Sequence, residues 1–182
     1  KHAIGPRREM AVRTIFNMLG PLTNPAKAER QLLGVYDAAL VVPVASVLKE
    51  LGSQHVMVVH SDDGLDEISV SAATQVAELK DGVISEYEIS PDDYDISRVS
   101  LDSLRVNDSN ESLNMLKDAL SGSNAGASDI VTLNAGAAIY VSGIAQSMDA
   151  GINKAREMVD SGLAEEALQR FVDFTSQLSE PT

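Results

Sequence analysis

The stretch "QLLGVYDAALVVPVASVLKELGSQHVMVV", Gln31 to Val59, decides the fold. QLLGVY has the composition of a short strand. QHVMVV is a continuous apolar run, of the kind buried on both faces of a parallel sheet. Between them, LVVPVASVLKEL reads as a helix: Pro43 is tolerated near its start and Gly52 follows as a C-cap. Strand, helix and strand in that order form a βαβ unit.

Downstream, TQVAELKDGVISEYEIS reads as two strands around the turn Lys80-Asp81-Gly82. SPDDYDISRVSLDSLRVNDSNE is polar and reads as a long loop or excursion. From Glu111 the pattern is helical. ESLNMLKDALSG stops at Gly122, and GASDIVTLNAGAAIYVSG is so rich in Ala and Gly that its backbone can approach a sheet or another helix closely. The last two helices place Ile152, Ala155 and Val159, then Leu168, Phe171 and Val172, on apolar faces with charge opposite. Upstream, PRREMAVRTIFNML reads as a helix with Pro6 in its first turn. Gly20-Pro21 ends it, and PLTNPAK is a loop bounded by prolines. The expected architecture is α/β, a three-layer αβα unit with a mostly parallel sheet and no internal repeat or interdomain linker. In such folds ligands sit at the carboxyl ends of the strands.

Composition narrows the function classes. With 182 residues, 44% hydrophobic and 23% charged, the chain can bury a single core. No apolar run approaches about 18 residues, so no membrane span is expected. Zero Cys excludes disulfides, thiolate metal sites and thiol catalysis, and fits a cytoplasmic location. The net charge of -13 argues against nucleic acid as a partner. The charge is uneven: residues 1–30 hold Lys1, Arg7, Arg8, Arg13, Lys27 and Arg30 against only Glu9 and Glu29. That asymmetry points to an anion handled at one end, or to a solvated helix face.

Behind the apolar strand comes HSDDGLDEIS, with Asp62, Asp63, Asp66 and Glu67 inside six residues. The pair Asp66-Glu67, without Cys or clustered His, suits a hard cation with oxygen ligands. Mg2+ typically takes one or two carboxylates plus substrate phosphates. An EF-hand is excluded, because placing Gly64 at the sixth position puts Val59 first and Val70 twelfth. The plainer alternative is a solvated acidic loop that caps the next segment. His60, Ser61 and Asp62 are sequence neighbours and so do not form a triad, whose members converge in space. His60 at the strand end reads as a structural hydrogen-bonding group.

GPRREMAVRTIFNMLGPLTNPA, Gly5 to Ala26, is very similar to a signature segment of the anthranilate phosphoribosyltransferase family, and HSDDGLDEIS looks like that family's metal loop. QLLGVY, LNAGAAIYVSG and SGLAEEAL extend the resemblance over essentially the whole chain. It implies the catalytic-domain fold of nucleoside phosphorylases and phosphoribosyltransferases, with a helical N-terminal segment. It also implies transfer of a phosphoribosyl group from 5-phosphoribosyl 1-pyrophosphate (PRPP) to anthranilate with Mg2+, in tryptophan biosynthesis. By this resemblance Arg7 contacts anthranilate, Gly20 and Pro21 belong to the loop against the aromatic substrate, and Asp66 and Glu67 hold Mg2+. Arg8 and Arg13 read as structural or surface residues, and no residue is nominated as a general base.

The family's Gly-rich pyrophosphate loop and its Lys-His-Gly-Asn-type segment are not found in these 182 residues. The expectation is therefore a C-terminal portion of a longer enzyme. Residues 1–30 would be the remnant of its helical domain and substrate loop, and 31–182 its α/β catalytic domain. Such a piece is expected to be inactive alone. The resemblance implies a homodimeric parent and leaves the oligomeric state of this piece open. The alternatives are a nucleoside phosphorylase-like enzyme of the same fold, a relative with another aromatic substrate, and a non-catalytic acidic metal-binding domain.

Overall fold

A computed structural model describes Gly20, Leu22 and residues 25–178. Four strands form one sheet in the order β1-β2-β3-β4: β1 (Arg30–Gly34), β2 (His55–Ser61), β3 (Thr74–Lys80) and β4 (Val83–Ile89). β1 and β2 are parallel, in the register Gly34 opposite Val59, and are joined through helix α1 (Val41–Glu50). The βαβ unit is thus present as read. β3 and β4 then run antiparallel to their neighbours.

The sheet is therefore mixed, with one parallel and two antiparallel pairings, where the sequence suggested a mostly parallel one. The apolar run of β2 reports burial on both faces, and that burial comes from helices above and below irrespective of strand direction. On one face Val56, Val58, Ala77 and Leu79 pack with Val41, Val44, Ala45 and Leu48 of α1. On the other, Met57, Val59 and Val76 pack with Leu133, Ala137 and Val141 of α3 (Ala125–Ser142) and Ile152 of α4 (Met148–Asp160). Three layers result, as expected for an α/β unit.

The β3–β4 hairpin turns where it was read. Asp81 and Gly82 both have positive φ, 51° and 76°, the signature of a two-residue turn matched to strand twist. The polar segment after β4 is ordered rather than a free loop. It carries 3-10 turns at Pro91–Tyr94 and Leu101–Leu104. Ile96 is buried, and Tyr94, Val99 and Leu104 pack on the α3-side core. Burying one side chain of this size contributes roughly 1.5–3 kcal/mol, enough to offset ordering one or two residues.

α2 (Ser109–Leu120) starts on Asp108, which accepts from the amides of Asn110 and Glu111. The Ala- and Gly-rich α3 approaches α4 closely through Gly136 and Gly151. Ile152, Ala155 and Val159 are buried, as their spacing predicted. α5 (Leu163–Leu178) differs: Phe171 and Val172, expected on a packed face, are exposed, and none of its residues is buried. An apolar stripe records what a helix can cover, and among the described residues nothing covers this one. Gly20 and Leu22 have helical backbone where a stop and loop were expected. A glycine costs a helix only about 1 kcal/mol relative to alanine and does not end one by itself. No helix among the described residues is long and apolar enough to cross a membrane.

Candidate functional site

β1 ends at Gly34, opposite Val59, while β2 runs two residues further to Ser61, and the acidic loop springs from that end. Gly64, at φ +90°, makes its sharp turn, and the loop folds back so that Ser61 N–H donates to the Leu65 carbonyl at 2.9 Å.

The four carboxylates then divide into two pairs. Asp62 accepts from the Gln75 side-chain amide at 3.1 Å. Asp63 accepts from Leu65 N–H at 3.2 Å and from the Ser69 hydroxyl at 2.6 Å. This first pair is structural, as the plainer reading of the loop held. The Asp66 and Glu67 carboxylates have no hydrogen bond or cationic partner among the described residues. They line a hollow of about 460 Å3 with Gly34, Val59 and the Ile130, Val131 and Asn134 face of α3. Although Glu67 is exposed as a residue, desolvation lifts its carboxyl above the ordinary carboxylate range, and the neighbouring Asp66 charge adds to the rise. The loop thus presents two mutually repelling carboxylates at the carboxyl ends of the parallel pair, and no cationic side chain among the described residues answers them.

Two residues fix this pair, and the sequence reading passed over both. The Asn134 side chain accepts from Ile68 N–H at 3.0 Å, donates to the Ile68 carbonyl at 2.9 Å, and donates to its own helix at the Ile130 carbonyl, also at 2.9 Å. Gly34 lies directly beneath the loop: a Cβ there would overlap the Asp66 carbonyl oxygen. Both had a signal. A lone amide in the apolar helix run VTLNAGAAIYV must find partners, and a glycine inside a strand marks close backbone approach.

His60 Nδ1 donates to the Val35 carbonyl at 2.8 Å, Ser61 Oγ to the Ala73 carbonyl at 3.0 Å, and Asp62 faces Gln75. The three diverge and form no triad, and His60 has the structural role expected of it. His55 lies at the other end of β2, in register with Lys80, bonded to buried Glu78 at 2.7 Å. Gly20 is exposed, with nothing within 4 Å of where a Cβ would stand. Arg7 and Pro21, like His2, Arg8 and Arg13, lie outside the described residues. A second hollow, of about 580 Å3, shares Ile130 and Val131 with the first but is walled by Leu65, Leu101, Leu104, Met115 and Leu116. Arg105 at this hollow is paired with Asp102.

As a cation site the donor set is partial. Among the described residues no three His, Asp or Glu side chains converge on one point. Two adjacent carboxylates with a free hollow in front fit a hard cation that keeps waters and takes its remaining ligands from a phosphorylated molecule. They do not fit a self-contained protein cage.

The chain is 54% identical over 183 residues to an anthranilate phosphoribosyltransferase of Marinomonas sp. (strain MWYL1), matching 100% of this chain and 53% of that protein. Among solved structures, anthranilate phosphoribosyltransferase from Thermus thermophilus superposes with a TM-score of 0.86 at 35% identity, over 95% of this chain and 51% of that one. The Saccharomyces cerevisiae enzyme in complex with PRPP and Mg superposes with a TM-score of 0.80 at 25% identity, over 94% and 50%. The chain spans about half the length of the curated relatives it matches. Residues 1–165 match the model of the glycosyl transferase family, a/b domain, and the chain belongs to that family.

Proposed function

We propose that this chain is the C-terminal α/β portion of an enzyme that transfers the phosphoribosyl group of PRPP to anthranilate, giving N-(5-phosphoribosyl)anthranilate and pyrophosphate in tryptophan biosynthesis. The observation that carries the reading is the Asp66-Glu67 pair, without a cationic partner among the described residues and facing a hollow at the strand ends, in a chain so similar to anthranilate phosphoribosyltransferases. Residues 31–182 are the catalytic α/β domain, and residues 1–30 are the edge of a helical domain with its substrate loop. The enzyme is cytoplasmic and homodimeric, and its partners are its two small-molecule substrates, with neither nucleic acid nor membrane among them.

Each group has a physical task. Asp66 and Glu67 hold Mg2+, which supplies charge neutralisation for the leaving pyrophosphate. Arg7 binds the anthranilate carboxylate, because a guanidinium matches a planar carboxylate through paired hydrogen bonds. Gly20 and Pro21 shape the wall against the aromatic ring. The anthranilate amine attacks C1 of the ribose as the C1–O bond to pyrophosphate breaks, through an oxocarbenium-like transition state of the glycosyl-transfer kind. An aromatic amine needs no strong base, so catalysis rests on positioning and charge stabilisation. The PRPP cradle lies in the preceding half, so the 182-residue chain alone is inactive.

The test follows anthranilate fluorescence with PRPP and Mg2+, on the full-length enzyme and on this chain side by side. Mg2+-dependent loss of signal with the former and none with the latter is expected. A silent full-length enzyme defeats the anthranilate reading, and turnover by the 182-residue chain defeats the placement of the cradle.

A further inference from the structure

We infer that Asn134 and Gly34 are positioning residues for the cation, a two-point clamp that fixes where the Asp66 and Glu67 carboxylates stand. The inference rests on the reading of that pair as cation ligands, and goes beyond it by naming what holds them.

Asp66 and Glu67 are adjacent carboxylates on one exposed loop, and no cationic side chain among the described residues pairs with either, so their like charges push them apart. Left to itself such a loop would splay. The backbone within and behind the pair is held instead. Between the two residues, the Asp66 carbonyl sits on Gly34 at the end of β1, in space that any side chain there would fill. Behind it, Asn134 takes both the N–H and the carbonyl of Ile68, so that residue can neither rotate nor slide without breaking two hydrogen bonds. The third bond, to the Ile130 carbonyl, fixes the amide's own orientation and leaves no ambiguity about which end is oxygen. Ile68 itself is fully buried in the core. One clamp point belongs to the sheet and the other to α3, so the pair spans the cleft between two rigid layers. Groups that orient metal ligands in this way typically change metal affinity about 10–100-fold when removed.

The test uses the full-length enzyme, with Mn2+ as probe, titrated by electron paramagnetic resonance in the presence of PRPP and without anthranilate, so that nothing turns over. Asn134→Ala and Gly34→Ala are each expected to weaken Mn2+ binding by about 10–100-fold. Asn134→Asp keeps the shape and the acceptor to Ile68 N–H, loses the two donated bonds, and is expected to fall between wild type and Asn134→Ala. Kinetically, the Mg2+ concentration for half-maximal rate rises, while the rate at saturating Mg2+ recovers most of its value. Glu78→Gln, at the far end of the sheet, destabilises without touching the loop and leaves Mn2+ binding as in wild type. The inference is overturned if folded Asn134→Asp and Gly34→Ala lose melting temperature as Glu78→Gln does yet bind Mn2+ as tightly as wild type. Wild-type binding by the Asp66→Asn, Glu67→Gln double variant would show a different failure: the cation would sit elsewhere, and the clamp would fall together with the ligand assignment.

Discussion

Gly151 of α4 lies directly against Gly136 of α3, and each is where it is because of the other. A methyl group on Gly151 would overlap the Gly136 carbonyl oxygen, and one on Gly136 would stand 2.7 Å from the backbone N and Cα of Ile152. In both cases the obstacle is backbone, which cannot step aside as a flexible side chain can.

Gly151→Ala should therefore separate the two helices rather than adjust one rotamer. Overpacking a well-filled core costs about 1–3 kcal/mol, and the upper end is expected here, because Leu133, Ala137 and Ile152 move with the helices they belong to. Urea unfolding of the purified chain measures it. A variant with wild-type midpoint would show that the crossing is looser than these distances imply. Gly126→Ala is the internal comparison: a Cβ there meets only side chains, the nearest being Val99 at 3.2 Å, and should cost much less.

Buried Glu78 carries the second prediction. It accepts from His55 and Tyr140 on one oxygen and from Tyr87 on the other, at 2.7–2.8 Å, and Lys80 donates to Tyr140 behind them at 3.0 Å. Burial alone would raise the Glu78 carboxyl. The hydrogen bonds from Tyr140, Tyr87 and His55, with the His55 charge, outweigh it and hold the group below the ordinary value of 4.5. A carboxyl depressed in the fold contributes stability that is fully present above its unfolded value, and that is lost as pH falls through its folded one. Melting temperature should thus gain a downward slope below about pH 4.5 that Glu78→Gln removes. At neutral pH the same substitution should cost about 2–3 kcal/mol, between an unmet buried hydrogen bond and a broken buried ion pair. Identical acid limbs in the two proteins would show that Glu78 does not control this slope.

The carboxylate pair on the acidic loop behaves in the opposite sense. Glu67 is raised, by desolvation first and by Asp66 second. A carboxyl raised in the fold contributes favourably only below its unfolded value, and that contribution disappears as pH climbs through the folded one. At neutral pH without divalent cation, Glu67→Gln should therefore stabilise the chain slightly, by about 0.2–1 kcal/mol, the scale of exposed charge interactions. Asp66→Asn should bring the Glu67 titration down without restoring it fully, because the desolvation remains; carbon-13 carboxyl shifts would follow it. A Glu67 titration indifferent to Asp66→Asn would mean that the two groups do not sense each other.

How much of this was legible depended on the distance over which each residue acts. The βαβ unit, the Asp81-Gly82 turn and the buried face Ile152, Ala155, Val159 are local patterns, and local patterns survive in a sequence. Strand direction in β3 is not local: nothing in TQVAELK distinguishes a parallel neighbour from an antiparallel one. Ile96, Val99 and Leu104 anchor the polar excursion from isolated positions with no period, so the segment resembled a free loop. Within the acidic loop, adjacency did not separate Asp66-Glu67 from Asp62-Asp63; only the resemblance singled out the former pair, and only the fold shows the latter tied to Gln75, Leu65 and Ser69. Asn134 escaped because its partner is 66 residues away, and Gly34 because its reason for being glycine is the backbone of another segment.

The last prediction concerns α5, whose apolar stripe was legible but whose covering was not. Phe171 is 64% exposed, Phe174 60% and Leu178 70%, close together on the helix. Contiguous apolar surface of this kind drives association. Because none of the three packs against the core, replacing Phe171 and Phe174 with Gln should change unfolding stability by no more than about 0.5 kcal/mol. It should also shift the purified chain toward monomer in sedimentation velocity at high concentration. The two readouts separate the explanations. A large loss of stability would mean that α5 is packed through this face. Unchanged association with stability intact would show that the Phe171 and Phe174 stripe is not the contact.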